Sequence, residues 1–249
     1  MNTLGVLGLE ITGGTYDEII QEVDRAITKK EKFIFQYVNS HILIRANKYE
    51  EFKNNLQQFS TLFIDGVGVY LASKFLYGNH KKVKRITGTD LYYHIVDYAI
   101  RNKRKVFFLG VNGLTSEAIR SYMVSKYPTL NVVGTECDNG FNDKDMTDKI
   151  NNANPEILFV GLGTPKQEEF IINNKQKINC PVLISVGSGI EYLAGIKTRA
   201  PKFMQLTGLE WMFRLFLEPK RLWRRYLFGI PHFMLLIFKQ KLEATERVL

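Results

Sequence analysis

Asp65 closes the apolar run Leu62, Phe63, Ile64 and is followed at once by Gly66, so its carboxylate stands where a buried strand ends. A carboxylate in that position has two uses: capping the helix that follows, or taking a proton as a general base at a pocket mouth. Position alone favours the cap. A second candidate is residues 157–170, ILFVGLGTPKQEEF, where an apolar run breaks at Gly161 and Gly163 and then turns polar and acidic. Pro165 suits a first helical position, and Glu168 and Glu169 in the opening turn complement the helix dipole. Glycines at such a turn let backbone N–H groups come close to an anion, and a helix N-terminus behind them favours phosphate. A lone Gly-x-Gly more often marks a plain strand-to-helix connection. Its weight here comes from similar strand ends elsewhere: Asn39 and Ser40 after residues 33–38, Gly110 and Gly113 after 106–109, and Gly187, Gly189 and Glu191 after 182–186.

Other constellations carry less. Asp143-Lys144-Asp145 has the Asp-x-Asp form by which many glycosyltransferases hold a divalent metal, but these acids fall in the first turn of a helix capped by Asn142, where they serve the dipole. No metal is assigned. His41, His80, His94 and His232 are scattered without ligand spacing. Serine nucleophile elbows, Walker loops and a full GxGxxG are absent.

Strand patterns at residues 6–11, 33–38, 62–64, 106–109, from 132, 157–160 and 182–186 alternate with helical patterns. Among the helical signals are a capping box at Thr15 and Glu18 and a helix from 115 to 127 stopped by Pro128. This alternation predicts an α/β fold with a mostly parallel sheet covered on both faces. In such sheets ligands bind outside the carboxyl ends of the strands, so one pocket can gather Asn39, Asp65, Gly110, the 161–167 turn with Gly163, Thr164 and Gln167, and the 187–191 turn with Gly187, Gly189 and Glu191. The run HKKVKR at residues 80–85 reads as a solvated loop leading to TGTD, where Thr89 or Asp90 can begin a helix.

From Lys197 onward the strand pattern stops and three helical segments follow, broken at Gly208, Pro219 and Pro231. This end holds eleven Lys and Arg against four Glu, a net +7 of the chain's formal +9. Its partner is therefore expected to be anionic. Both tryptophans, Trp211 and Trp223, lie here among Arg214, Arg221, Arg224 and Arg225. Core packing, nucleic-acid binding and membrane-surface binding all fit such a tail; Trp and Tyr beside Arg, followed by bulky apolar residues, suit the lipid headgroup layer better than a phosphate groove. The longest apolar stretch, residues 226–238, is shorter than the roughly 20 residues that span a bilayer. The opening MNTLGVLGLEITGG shows no basic segment followed by an apolar run, and Cys137 and Cys180 supply neither a disulfide framework nor a zinc site. A cytoplasmic location is expected.

Several segments are together similar to one known family: Asn39 at its strand end, FIDGVG at 63–68, RITGTDL at 85–91, FFLG at 107–110, VGLGTPKQE at 160–168, and the long block RAPKFMQLTGLEWMFRLFLEPKRLWRRYL from Arg199. Over nearly its full length the sequence resembles the WecG/TagA/CpsF family of bacterial glycosyltransferases. The resemblance implies a Rossmann-like catalytic core over residues 1–196 and a membrane-associating helical appendage over 197–249. It implies inverting, metal-independent transfer, without a cofactor, from a UDP-sugar donor, often of N-acetylmannosamine, to a polyprenyl-diphosphate-linked acceptor at the inner face of the plasma membrane. Asp65 is then the base; Asn39, Arg85 and Gln167 line the catalytic pocket; Arg214, Arg221 and Arg224 complete it from the appendage. Tyr37 stands where members commonly have threonine, and Glu191 where they usually have the aspartate that would meet ribose hydroxyls, which leaves open another UDP-hexose or a UDP-uronic acid as donor. An anionic membrane surface is an expected partner, nucleic acid is not, and homo-oligomerisation stays open. Two readings from other classes remain: a nucleotide-dependent oxidoreductase, which lacks its glycine fingerprint here, and a nucleic-acid-binding module using the basic tail.

Overall fold

A computed structural model describes residues 1–78, 85–110 and 115–246. Gly113 and residues 80–84 of the basic run lie outside the described residues. The chain opens with a hairpin, β1 (Asn2–Val6) and β2 (Leu9–Gly13), paired antiparallel. Leu7 and Gly8 turn it with φ of 50° and 76°, both positive as a type I′ turn requires. The single strand expected over residues 6–11 is therefore corrected to parts of two, because leucine is a rare occupant of that turn and gives no turn signal.

Next come α1 (Tyr16–Lys29), β3 (Phe33–Val38), α2 (Ser40–Lys48), α3 (Glu50–Gln57), β4 (Thr61–Ile64), α4 (Gly66–Tyr77) and α5 (Gly88–Arg101). The second half runs β5 (Lys105–Leu109), α6 (Ser116–Lys126), β6 (Asn131–Glu136), α7 (Asp143–Ala153), β7 (Ile157–Val160), α8 (Lys166–Asn174), β8 (Val182–Ser185) and α9 (Gly189–Ala194). Thr15 and Glu18 form the expected capping box on α1. Pro165 stands one position earlier than expected, at the N-cap of α8.

Among the described residues eight strands make one sheet in the order β1-β2-β4-β3-β8-β7-β5-β6, parallel except for the hairpin. The strand period of two sorts side chains to opposite faces. In β3, Ile34 and Val38 join a core with α2, α3, α4 and α8. Phe33, Phe35 and Tyr37 join the other, with α1, α5, α6 and α9. The chain leaves β4 through α4 and α5 and crosses to the far half of the sheet at β5. The carboxyl ends of β3 and β4 thus lie beside this crossover, where open α/β sheets bind ligands.

The glycine turns after β5, β7 and β8 pack backbone against backbone. A Cβ on Gly161 would stand 2.7 Å from the Gly187 carbonyl oxygen and 2.9 Å from Ile190 Cδ1, and one on Gly110 would stand 2.7 Å from the Gly161 carbonyl carbon. These contacts are closer than real Cβ atoms tolerate. Gly161→Ala is expected to destabilise the fold by about 1–3 kcal/mol, as overpacking does, read as a lower thermal midpoint by circular dichroism.

The appendage holds four helices rather than three: α10 (Lys202–Thr207), α11 (Glu210–Leu217), α12 (Pro219–Leu227) and α13 (Gly229–Glu246). Pro231 does not break α13, because it falls in the first turn, where a missing N–H costs no helical hydrogen bond. The appendage is docked. Phe233 and Ile237 of α13 are buried in the same core as α2 and α4. Gln240 accepts from the Leu7 N–H at 2.9 Å and donates to the Gly5 carbonyl at 2.9 Å, and Lys241 donates to the Leu76 carbonyl at 2.8 Å. Among the described residues no helix is long and apolar enough to cross a membrane.

Candidate active site

One cavity of about 930 Å³ opens at the carboxyl ends of β3 and β4, beneath the appendage. Asn39, Asp65, Arg85, Glu210, Arg214 and Arg225 line its polar end. Asn39 leaves β3 and caps α2, its Oδ1 accepting from the N–H groups of His41 at 3.1 Å and Ile42 at 3.3 Å. The same oxygen accepts from Arg225 Nη2 at 3.2 Å, which ties α12 to the strand end. Burial, then Arg225 and Arg45, push the His41 imidazole down to about 4, so it is neutral near pH 7 and adds no charge here.

Asp65 occupies the N-cap position of α4 but makes no capping hydrogen bond to it. Its Oδ1 instead accepts from the Gly88 N–H at 3.0 Å, the first residue of α5. The cap favoured by position is thus corrected: the carboxylate is held across the crossover by the next helix, and it lines the cavity. Burial holds the Asp65 carboxyl above the usual carboxylate range. The Gly88 N–H and Arg214 oppose the rise, Glu210 adds to it, and Arg225 opposes it. A raised carboxyl beside open space is what a general base requires.

Arg85 reaches the cavity from the segment before α5 and donates to the Gln205 carbonyl at the end of α10. Gly208 makes room for it: at a φ of +80° it turns the chain between α10 and α11, and a Cβ there would lie 2.9 Å from Arg85 Nη1. Arg214 of α11 donates to Glu210 Oε1 at 2.6 Å and to Thr89 Oγ1 at 3.4 Å, and lies over the Tyr192 ring at 5.0 Å. Among the described residues no carboxylate pairs with Arg85 or Arg225. Two guanidinium groups thus face the cavity with donors to spare, and a diphosphate is the ligand that uses paired donors best.

The remaining expected site residues fall elsewhere. Arg221 pairs with Glu218, and Arg224 lies over the Trp223 ring at 5.2 Å; both are exposed, and neither lines the cavity. Helix phase explains the difference. Leu222 is the buried residue of α12, so the positions three and four later, Arg225 and Tyr226, turn inward with it and line the cavity. Residue types alone do not show that phase, since Trp223 and Leu227 of the same helix are apolar yet exposed. Glu210 and Trp211, also in the lining, had no signal beyond their residue types.

Gln167 is buried and braces two turns: its Oε1 accepts from the Gly187 N–H at 2.9 Å, and its Nε2 donates to Glu168 Oε1 at 2.9 Å. Thr164 donates to the same Glu168 oxygen at 3.0 Å. Glu168 is buried, which raises its carboxyl above the usual range. Gly163 faces open space, whereas a Cβ on Gly189 would meet the Tyr92 ring at 2.3 Å. Glu191 pairs with Lys197 at 2.7 Å. Tyr37 is buried edge-on against Tyr92, with ring centroids 5.6 Å apart, and its hydroxyl has no hydrogen-bond partner among the described residues. None of Tyr37, Gly110, Gly161, Gly163, Thr164, Gln167, Gly187, Gly189 or Glu191 lines the Asp65 cavity. Tyr92 links the two regions, touching both Tyr37 and the Gly189 turn.

Asp143 accepts from Asn174 Nδ2 at 2.8 Å, and Asn142 Oδ1 caps α7 through the Lys144 N–H at 2.8 Å, the helix-start arrangement expected of the Asp-x-Asp match. Among the described residues no group of three His, Cys, Asp or Glu side chains stands close enough to hold a metal ion.

A carboxylate held above its usual range, two arginines without a carboxylate partner among the described residues and a strand-end pocket could serve group transfer from a nucleotide-activated donor. Over 216 residues, 86% of this chain and 82% of the relative, the sequence is 31% identical to the N-acetylglucosaminyldiphosphoundecaprenol N-acetyl-beta-D-mannosaminyltransferase of Bacillus subtilis (strain 168). It is 28% identical over 238 residues, 95% of this chain and 92% of the relative, to the protein of that name from Staphylococcus aureus (strain MRSA252). With residues 4–247 matching the Glycosyl transferase WecG/TagA/CpsF family, the chain belongs to that family of glycosyltransferases.

Proposed function

We propose that this glycosyltransferase moves N-acetylmannosamine from UDP to the sugar of an undecaprenyl-diphosphate-linked acceptor, with inversion and without a metal. The observation that carries the reading is the half-buried, raised Asp65 carboxyl in a cavity that also holds Arg85 and Arg225. The choice of sugar rests on the names of the two relatives.

The reaction is one displacement. Ionised Asp65 takes the proton of the acceptor hydroxyl as its oxygen forms a bond to the anomeric carbon. The bond from that carbon to the UDP oxygen breaks on the opposite face, and UDP leaves with its electron pair; Asp65 then returns the proton to solvent. Guanidinium groups and backbone N–H groups meet the diphosphate charge, a task a metal performs in other transferases. The net +7 of residues 197–249 and the exposed Phe216, Trp223 and Phe228 support a reversible hold on an anionic membrane surface. The test is a panel of UDP-sugars with a diphosphate-linked N-acetylglucosamine acceptor, run with and without EDTA. Transfer of N-acetylmannosamine that survives EDTA is expected; preference for another UDP-sugar overturns the donor, and loss on chelation restored by manganese or magnesium overturns the metal-free chemistry.

A further inference from the structure

The cavity does not end at its arginines. Past Asp65 it runs on as an apolar trough between α4 and α13, walled by Leu71, Ala72 and Phe75 on one side and by Phe233, Met234 and Phe238 on the other. Leu71, Phe75, Met234 and Phe238 are each more than half exposed, although they sit side by side. The rings of Phe75 and Phe238 stack across it, centroids 6.5 Å apart. These six side chains carry no hydrogen-bonding N or O atom, and uncovering so much contiguous apolar surface to water is unfavourable without an occupant.

We infer that this trough seats the first isoprenoid units of the acceptor lipid, so that the enzyme grips the acceptor's hydrocarbon as well as its sugar. The inference rests on the acceptor reading above and extends it. The make-up of the cavity is the argument: Asp65 at its polar end and the continuous hydrocarbon of α4 and α13 share one space. A sugar joined through a diphosphate to a branched chain brings a hydroxyl for the one and hydrocarbon for the other. A nucleoside diphosphate does not, since it would press ribose hydroxyls and a base against Leu71 and Phe75 with no polar partner. The trough is also built in advance. Phe233 and Ile237 fix α13 in the core, and Gln240 and Lys241 anchor it to Gly5, Leu7 and Leu76. A preformed site loses little to ordering when the chain enters.

The test uses the full chain in solution, without detergent or vesicles, and acceptors with one sugar diphosphate on ethyl, geranyl or farnesyl chains. Hydrocarbon burial predicts that kcat/KM rises about tenfold or more with each isoprene unit seated in the trough. Leu71→Asp and Met234→Asp place a charge in the trough, and the farnesyl-to-ethyl ratio of kcat/KM should collapse toward one; the ratio corrects for any loss of folded enzyme. A wild-type ratio near one that rises only when anionic phosphatidylglycerol vesicles are added would show that the bilayer, not the trough, holds the chain. A ratio kept by both variants overturns the inference; so does a dimer in sedimentation that either substitution abolishes while the ratio stays, which would give this face to a second copy. Absence of transfer to every acceptor at every chain length overturns the acceptor reading itself, and the trough's assignment with it.

Discussion

Asp65→Asn is expected to lower kcat by about 10²- to 10⁴-fold, the usual contribution of a general base, while UDP binding measured by calorimetry stays near the wild-type value. The amide keeps the side chain's size and an oxygen to accept from Gly88, so the geometry of the crossover is preserved. What is lost is the ability to take a proton. The same carboxyl is expected to give the pH profile its acid limb. Because burial raises it above the ordinary carboxylate range, the ionised fraction, and with it kcat, falls as pH drops through a value higher than that of a free aspartate. Stability runs the other way. A carboxyl raised in the folded state binds protons more tightly there than in the unfolded chain, so its contribution is most favourable in acid and is lost as pH rises through the folded value. Asp65→Asn should therefore unfold at the same or a higher temperature than wild type at pH 7. A variant that keeps near-wild-type turnover would show that Asp65 only holds α5.

Arg225→Ala is expected to cost on the order of 10² in kcat/KM, the scale of losing one electrostatic contact to a developing oxyanion. Arg225 approaches Asn39 from the appendage and presents its remaining donors to the cavity. Arg225→Lys should recover only part of the loss, because an ammonium keeps the charge but not the paired donors. Arg221→Ala and Arg224→Ala, measured with the same water-soluble short-chain acceptor, should stay within a few-fold of wild type, since both side chains are exposed and outside the cavity. Equal damage at positions 221, 224 and 225 would mean that α12 turns on binding substrate, and would overturn the assignment of Arg225.

The difference between these three arginines measures what the sequence could tell. Strands β3, β4, β7 and β8 were legible because runs that are apolar but for Gln36 and Ser185 stop at Asn39, Asp65, Gly161 and Gly187. Their carboxyl ends were legible as a binding edge because α/β topology leaves no other place for them. The hairpin was hidden by Leu7, whose left-handed backbone is set by the pairing of β1 with β2 and not by its own preference. The partner of Asp65 was hidden for a different reason. The carboxylate meets the N–H of a residue 23 positions later, and no local pattern says which helix comes to it. In α12 three arginines fall within five residues, so residue type cannot separate them; only the burial of Leu222 sets the phase. The glycines were read as room for a ligand, whereas Gly110 makes room for the Gly161 backbone and Gly161 for the Gly187 carbonyl.

The bonds from Gln240 to Gly5 and Leu7 join positions 235 and 233 residues apart. Contacts of that separation form late, because the entropy of closing so long a loop must be met before they return anything. During translation, then, the sheet and Asp65 are in place while α13 is still inside the ribosome, and a nascent chain at that stage has a strand-end carboxylate with neither Arg225 nor an apolar wall beside it. On that order of synthesis, transfer is expected to begin only once α13 has emerged and docked.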